Sequence, residues 1–230
     1  IIFLEKCITS KDYYSRVKYT QFKTKTSYKT IKSPGLKDDL RRAKQFQKFC
    51  TNKHVLDFGC GRGDFLKTIK KAKSLNGIEI GKQYSNIFRN IKKKINFKHS
   101  IDEYSTKFDV ITMFHVLEHM PSQVKVLKQL HKKLKKNGLL IVEIPHADDF
   151  LLKFNELKEF KKFTFWSEHL ILHTRESIKS VLHTAGYKDI KIIYFQRYPL
   201  SNHLGWFIKK KPGGHDYFKP LISKSLNLSY

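Results

Sequence analysis

Cysteine is scarce in this sequence. Three occur in 230 residues, Cys7, Cys50 and Cys60, and their spacing matches no zinc cluster. So odd and sparse a set excludes a disulfide-stapled scaffold and points to a reducing compartment, the cytoplasm. Long apolar runs are also missing, so no bilayer-spanning helix is expected. Ile1 to Leu4 is apolar, but Glu5 and Lys6 interrupt it at once, which argues against a secretory signal. There is no internal repeat, and no G-K-[ST] to make a Walker loop. Arginine is the last shortage: 39 lysines face 7 arginines in a chain of net charge +26. A strongly basic chain suggests nucleic acid or an anionic membrane, yet planar bidentate recognition of phosphate favours arginine. The lysines lie in scattered clusters such as Lys92-Lys93-Lys94 and Lys132-Lys133, the latter on an amphipathic helix. Solvated faces and AT-rich coding are therefore the first reading of the charge, and a nucleic-acid partner the second.

Hydrophobic residues make up 40% of the chain, enough for a buried core. Residues 1–35 are polar and aperiodic and close on the turn Ser33-Pro34-Gly35. Leu36 to Cys50 then predicts a helix with Leu36, Leu40, Ala43 and Phe46 near one face. From His54 onward, apolar strands alternate with amphipathic helices, the pattern of a parallel α/β sheet. The expected strands are His54–Phe58, Ser74–Ile80, Ile95–Lys98, Phe108–Phe114, Leu139–Ile144 and Lys188–Phe195. Between them lie helical stripes of Phe65, Ile69 and Ala72, of Val124, Leu127, Leu130 and Leu134, and of Ile178, Val181, Leu182 and Ala185. Thr174 is the expected N-cap of the last of these and Gly186 its stop. Asp148 to Lys162 is expected to be helical, and past Pro199 no periodicity is evident.

The chemistry centres on Asp57-Phe58-Gly59-Cys60-Gly61-Arg62-Gly63-Asp64, where an apolar strand runs into three glycines and a helix begins. Such glycines let the backbone turn sharply and approach a ligand, and the helix start adds free N–H donors. A nicotinamide-binding loop would read G-x-G-x-x-G; here the third glycine, Gly63, comes one position early. Glu79 ends the second strand, about 20 residues after Asp57, where a carboxylate can accept hydrogen bonds from both hydroxyls of a ribose.

At this point the sequence resembles the class I S-adenosylmethionine-dependent methyltransferases, whose first motif has the form D-x-G-x-G-x-G. Phe108 to His119 resembles the fourth-strand motif of that superfamily, with the V-L-E-H ending common in its small-molecule branch. Leu134-Lys135-Lys136-Asn137-Gly138-Leu139-Leu140 resembles its lead into strand five. The likeness runs from about Asp39 to about Tyr217. It implies a Rossmann-like three-layer α/β sandwich with a mostly parallel sheet, and S-adenosylmethionine as the cofactor. Asp57, Gly59, Gly61 and Gly63 would then line the methionine end, Glu79 would hold the ribose, Ser100 and Ile101 would flank the adenine, and Phe114 would stand at the cofactor's face.

Methyl transfer asks the protein chiefly to align a nucleophile and exclude water. A hydroxyl acceptor also benefits from a base, for which His115, His119 and His169 are the candidates; each is equally readable as a hydrogen-bonded structural histidine. Some relatives carry an E-x-x-E-H motif that binds a divalent cation. Here His115 replaces the first acid, so no metal is assigned to Glu118, His119 and His169. The implied acceptor is a small molecule, a hydroxyl of a sugar, quinol-like or lipid-linked metabolite. RNA is the alternative, although no N-P-P-Y-type motif follows the fourth strand. A non-catalytic cofactor-binding module is the third reading.

The C-terminal part resembles methyltransferases of bacterial polysaccharide and nucleotide-sugar gene sets, on Gln196-Arg197-Tyr198-Pro199-Leu200, Asn202-His203-Leu204 and Lys211-Pro212-Gly213-Gly214-His215, with Glu168-His169-Leu170 fitting the same group. Its polar residues Gln196, Arg197, Asn202, His203 and His215, set among aromatics, suit a hydroxylated or phosphorylated ligand. The expected division is an extension (1–35), a cofactor-binding core (36–200) and an acceptor-side segment (201–230). Class I sheets end in an antiparallel seventh strand. Only Leu204–Ile208 offers one here, Leu221–Tyr230 reads as a cut-off helix, and position 1 is not Met. The chain is accordingly expected to be a fragment whose sheet is one strand short.

Overall fold

The computed structural model describes residues 2–3, 35–81, 84–166 and 169–213. The expectations for residues 4–34, Glu168, Gly214, His215 and 221–230 lie outside the described residues. In chain order the elements are β1 (Ile2–Phe3), α1 (Leu36–Cys50), β2 (His54–Phe58), α2 (Asp64–Thr68), β3 (Ser74–Ile78), α3 (Ser85–Arg89), β4 (Asn96–Lys98), β5 (Phe108–Phe114), α4 (Gln123–Lys133), β6 (Leu134–Glu143), α5 (Lys158–Trp166), β7 (Ile171–Leu172), α6 (Arg175–Thr184) and α7 (Leu200–Lys209). They fall into two compact units, residues 7–144 and residues 1–6 with 145–230.

The first unit is built on a five-stranded sheet in the order β4-β3-β2-β5-β6. Every neighbouring pair in it is parallel. The chain steps outward from β2 to β3 and β4, then returns to place β5 against the other side of β2. Right-handed crossovers therefore put α2 and α4 on opposite faces, and a sheet covered on both faces gives buried strands with continuous apolar runs. Val55, Leu56, Ile111 and Met113 are all fully buried. One face packs Ala43 and Cys50 of α1 and Phe65 and Leu66 of α2 against Val55, Leu75, Val110 and Phe114.

Several elements depart from expectation for local reasons. On α1 the buried residues are Arg42, Ala43 and Cys50, while Leu40 is 47% exposed; a buried arginine paired with the half-buried Asp39 and Glu143 sits in the inward stripe. Helix α2 stops at Thr68 because Ile69 turns extended. Lys93 closes that end, its Nζ donating to the carbonyls of Leu66 (3.3 Å), Lys67 (3.1 Å) and Ile69. Strand β6 starts at Leu134 rather than Leu139. Asn137, with φ of 60°, makes an irregularity inside the strand, and the pairing register shifts from Phe108–Leu134 to Val110–Leu139.

In the second unit β1 and β7 pair antiparallel. Thr174 caps α6 as expected, accepting from the Ser177 N–H. The predicted helix over 148–162 forms as a short 3-10 turn at Phe150–Lys153 followed by α5. Lys188–Phe195 is not a strand. Asp189 sits at φ 53°, no described strand pairs with the segment, and Ile193, Tyr194 and Phe195 are 66%, 57% and 50% exposed. Leu200–Lys209 is helical, not aperiodic, and Leu204–Ile208 lies inside this α7 rather than in a strand. Among the described residues the five-stranded sheet has no antiparallel member. A cluster of Leu151, Leu157 and Trp206, with Phe154, Phe160 and Phe207, forms this unit's core.

Candidate functional site

In an open α/β sheet, ligands bind at the carboxyl ends of the strands where the strand order reverses. Here that point lies between β2 and β5. The glycine loop leaves β2 at this place. Gly59, Gly61 and Gly63 have φ of 75°, 51° and 70°, a left-handed region that side chains disfavour. The loop is pinned to β3, since the N–H groups of Gly59 and Cys60 both donate to the Ile78 carbonyl at 2.9 Å. The glycines serve different ends. A Cβ on Gly59 would lie 2.4 Å from Val116 after β5, whereas one on Gly61 would meet nothing within 4 Å. The space over Gly61 is open, as a ligand approaching the backbone requires. Gly77, on β3 two residues before Glu79, is a glycine of another kind. Its Cβ would lie 2.8 Å from Cys60 Sγ and 2.9 Å from the Phe97 ring, so it is a packing glycine that lets β3 sit under the loop.

Glu79 follows β3 and braces the loop. Its Oε2 accepts from the Gly61 N–H at 2.8 Å and its Oε1 from the Gly81 N–H at 2.7 Å. A carboxylate has about four lone-pair sites, so each oxygen retains capacity for a hydroxyl donor. Asp57 is 4% exposed. Register pairs it with Thr112 on β5, whose hydroxyl donates to Asp57 Oδ1 at 2.7 Å. Burial pushes the Asp57 carboxyl up to about 7, against the opposing pull of that hydrogen bond. Burial also raises the Cys60 thiol, so Cys60 is packing rather than a nucleophile.

Ser100 caps the turn Ile101–Glu103 through a capping box, and Ile101 is 6% exposed. Phe114 turns its ring inward, stacked on Phe46 at 5.9 Å and edge-on to Phe65 at 5.0 Å, under the Arg42 guanidinium at 4.8 Å. Its ring therefore belongs to the core.

His115 follows at φ 53°. Its Nδ1 lies 3.0 Å from Glu118 Oε1 and its Nε2 3.5 Å from Glu143 Oε1. Burial alone would raise the Glu118 carboxyl, but the hydrogen bond and charge of His115 outweigh it and hold the group below its ordinary value. His119 Nε2 is 4.0 Å from Glu118 Oε1. His169 belongs to the second unit, two residues before β7.

A network that sequence reasoning missed joins this loop to α1. Arg41 forks onto both oxygens of Glu143 at 2.8 Å. Arg42 donates to Glu143 Oε1 from Nε at 3.1 Å and from its terminal nitrogen at 2.7 Å, and its other arm binds Asp39 at 2.9 Å. Burial opposes the Glu143 charge, but His115, Arg42 and Arg41 outweigh it and hold the carboxyl well below the usual range. The partners lie about a hundred residues apart, so no local pattern announces them.

These residues fit S-adenosylmethionine: open space over a left-handed glycine, a strand-end carboxylate with spare acceptor capacity, and a buried acid beneath the loop, suited to a cationic ligand.

The comparisons with known proteins agree. The model of the methyltransferase domain family matches residues 34–192. The chain is 28% identical over 153 residues to a tRNA U34 carboxymethyltransferase of Wolinella succinogenes, covering 61% of this chain and 53% of that one. It is 28% identical over 105 residues to a ubiquinone biosynthesis O-methyltransferase of Hydrogenovibrio crunogenus, covering 41% and 43%. The chain thus spans about half the length of such curated relatives. A solved S-adenosylmethionine-dependent methyltransferase from Archaeoglobus fulgidus shares the fold, with a TM-score of 0.56 at 22% identity over 70% of this chain and 73% of that one. With its fold, its glycine loop and residues 34–192 all in agreement, the chain belongs to the methyltransferase domain family, and its fold is the one seen in that S-adenosylmethionine-dependent methyltransferase.

Proposed function

We propose that the protein transfers a methyl group from S-adenosylmethionine to a hydroxyl of a small molecule, a sugar, quinol-like or lipid-linked metabolite. The observation that carries this reading is the glycine loop at the switch point, with Gly61 open above and Glu79 braced below. When bound, the cofactor supplies a methyl carbon already activated by its sulfonium. The chain's part is to hold that carbon in line and keep water out. Asp57, Gly59, Gly61 and Gly63 serve the methionine end, Glu79 the ribose, and Ser100 and Ile101 the adenine. Phe114 acts through its backbone and through the packing of its ring.

Of the base candidates, His115 is engaged by two carboxylates and is better suited to holding the loop. His119, beside the buried Glu118, is the stronger candidate for taking the acceptor's proton, with His169 second. His119→Ala is then expected to lose turnover and keep cofactor affinity. In this division residues 36–200 bind the cofactor and residues 201–230 take part in acceptor choice. The named ubiquinone O-methyltransferase relative supports the small-molecule reading.

The net charge of +26 and the tRNA-modifying relative favour a second reading, RNA as acceptor. Incubating the protein with isotope-labelled S-adenosylmethionine and a cell extract separates the two. Label in the small-molecule fraction is expected; label confined to RNA replaces the first reading with the second.

A further inference from the structure

The lysines that look scattered along the sequence are gathered by the fold. β2, β3 and β4 are adjacent and parallel, so the connections that enter them meet at one edge of the sheet. The first carries Lys53, the second Lys70, Lys71 and Lys73, the third Lys92 and Lys94, and all six are exposed. The three connections touch. The Lys73 N–H donates to the Lys53 carbonyl at 2.8 Å and the Asn52 N–H to the Lys71 carbonyl at 2.7 Å. Lys93, between Lys92 and Lys94, reaches the Lys67 carbonyl at 3.1 Å. It also donates to the Ile69 carbonyl, which places the second and third connections side by side; burial and then the charge of Lys70 lower its pKa. No aspartate or glutamate occurs in residues 51–53, 69–73 or 90–95. On the neighbouring β5, Asp109 is already taken by Lys135 at 3.0 Å and by the His54 N–H at 2.8 Å.

Six like charges held within one edge repel each other, and among the described residues no ion pair neutralises them. The ligand they fit is a row of phosphates. The type of row follows from what the patch lacks. The three connections carry no aromatic side chain, and the exposed Phe49 at the adjoining end of α1 is already covered by Lys48 at 5.0 Å, so the patch offers no row of platforms for stacking unpaired bases. Among the described residues it has no protruding helix to enter a major groove and read base edges. Lysines contact phosphate as point charges, without the planar fork that arginine brings. Such a surface suits A-form RNA, whose deep, narrow major groove is closed to side chains and which is recognised by backbone and shape.

We propose that the edge formed by Lys53, Lys70, Lys71, Lys73, Lys92 and Lys94 binds the phosphate backbone of double-helical RNA without regard to sequence. It lies at the opposite ends of the strands from the glycine loop, and five-residue strands set the two roughly 17 Å apart. It is therefore an anchoring surface, distinct from the acceptor site, and it stands whether the methyl acceptor is a small molecule or a nucleotide.

The test is the salt dependence of binding to a 20-base-pair RNA duplex, measured by fluorescence anisotropy on the full chain. Six neutralised phosphates predict a log–log slope of about −5. The triple variant Lys70→Gln, Lys71→Gln, Lys73→Gln is expected to lower the slope's magnitude by about 2.5–3 and to leave S-adenosylhomocysteine binding unchanged. The matched variant Lys125→Gln, Lys128→Gln, Lys132→Gln, which removes the same charge from α4, is expected to change the slope by less than 1. Equal losses in the two variants would show diffuse charge and overturn the proposal. So would equal affinity for a DNA duplex of the same sequence, or binding to phosphatidylserine vesicles in preference to RNA.

Discussion

At the carboxyl ends of its parallel strands this protein places Asp57, Glu79, Glu118 and Glu143; at the amino ends of the same strands and their neighbours it exposes six lysines. The acids are engaged: Asp57 by Thr112, Glu79 by two glycine N–H groups, Glu118 by His115, and Glu143 by Arg41 and Arg42. The lysines face water. One end is a preorganised site whose carboxyl groups are held at fixed positions, which is what recognition of a small cationic ligand requires. The other is an exposed array of point charges, which is what a long, uniform polyanion needs. Net charge alone reports only the second of these, because it sums over both ends.

The contrast can be broken at the carboxyl end first. Gly61→Val is expected to have the largest effect. Its side chain enters the open space over the loop, so S-adenosylhomocysteine binding should fall more than a hundredfold by calorimetry, while φ strain of about 1–3 kcal/mol lowers stability without abolishing cooperative unfolding. Next is Arg42→Ala, which removes a buried partner of Glu143 and leaves Arg41 in place. Urea unfolding should show a loss of about 2–3 kcal/mol, less than the full cost of breaking a buried pair. Gly77→Ala should cost about 1–2 kcal/mol, because its Cβ has to displace Cys60 or Phe97. A stability equal to wild type in either variant would remove the corresponding packing argument.

The last effect is a pH dependence. Asp57 is pushed from its ordinary 3.8 up to about 7 by burial. Between those values the folded protein keeps a proton that the unfolded chain has released. This group therefore contributes a loss of stability as pH rises from about 4 to about 7. Glu143, held low, acts in the opposite sense, its contribution being present above the unfolded glutamate range and lost as pH falls. Asp57→Asn removes the first of these, so its unfolding free energy should decline less than wild type's between pH 5 and pH 7. Parallel pH profiles would mean that Asp57 is charged throughout.

How much of this was legible in the sequence follows from how local each signal is. Helix α1 and the strands His54–Phe58 and Phe108–Phe114 have the predicted bounds, because their apolar patterns and flanking breakers lie within a few residues. The glycine loop and Glu79 were legible for the same reason. Helix α7 was not, because three of its four buried residues, Ser201, Asn202 and Gly205, are not hydrophobic. Asn202 is buried because its side-chain oxygen accepts from the Gly213 N–H, a contact that carries no apolar period. The segment Lys188–Phe195 has strand-like composition, but a ladder needs a partner, and composition does not supply one. The Arg41–Arg42–Glu143 network and the lysine edge depend on residues brought together from remote parts of the chain by strand order, so only the topology discloses them.

The central claim is that the glycine loop and Glu79 form an S-adenosylmethionine site. Calorimetric titration of S-adenosylhomocysteine into the full chain, with Glu79→Ala alongside, tests it most directly. One saturable site is expected in wild type, weakened at least tenfold in the variant, since lost hydrogen bonds to a charged acceptor cost about 1.5–3 kcal/mol. No binding to wild type, unchanged affinity in Glu79→Ala, or binding of NAD in its place would contradict it.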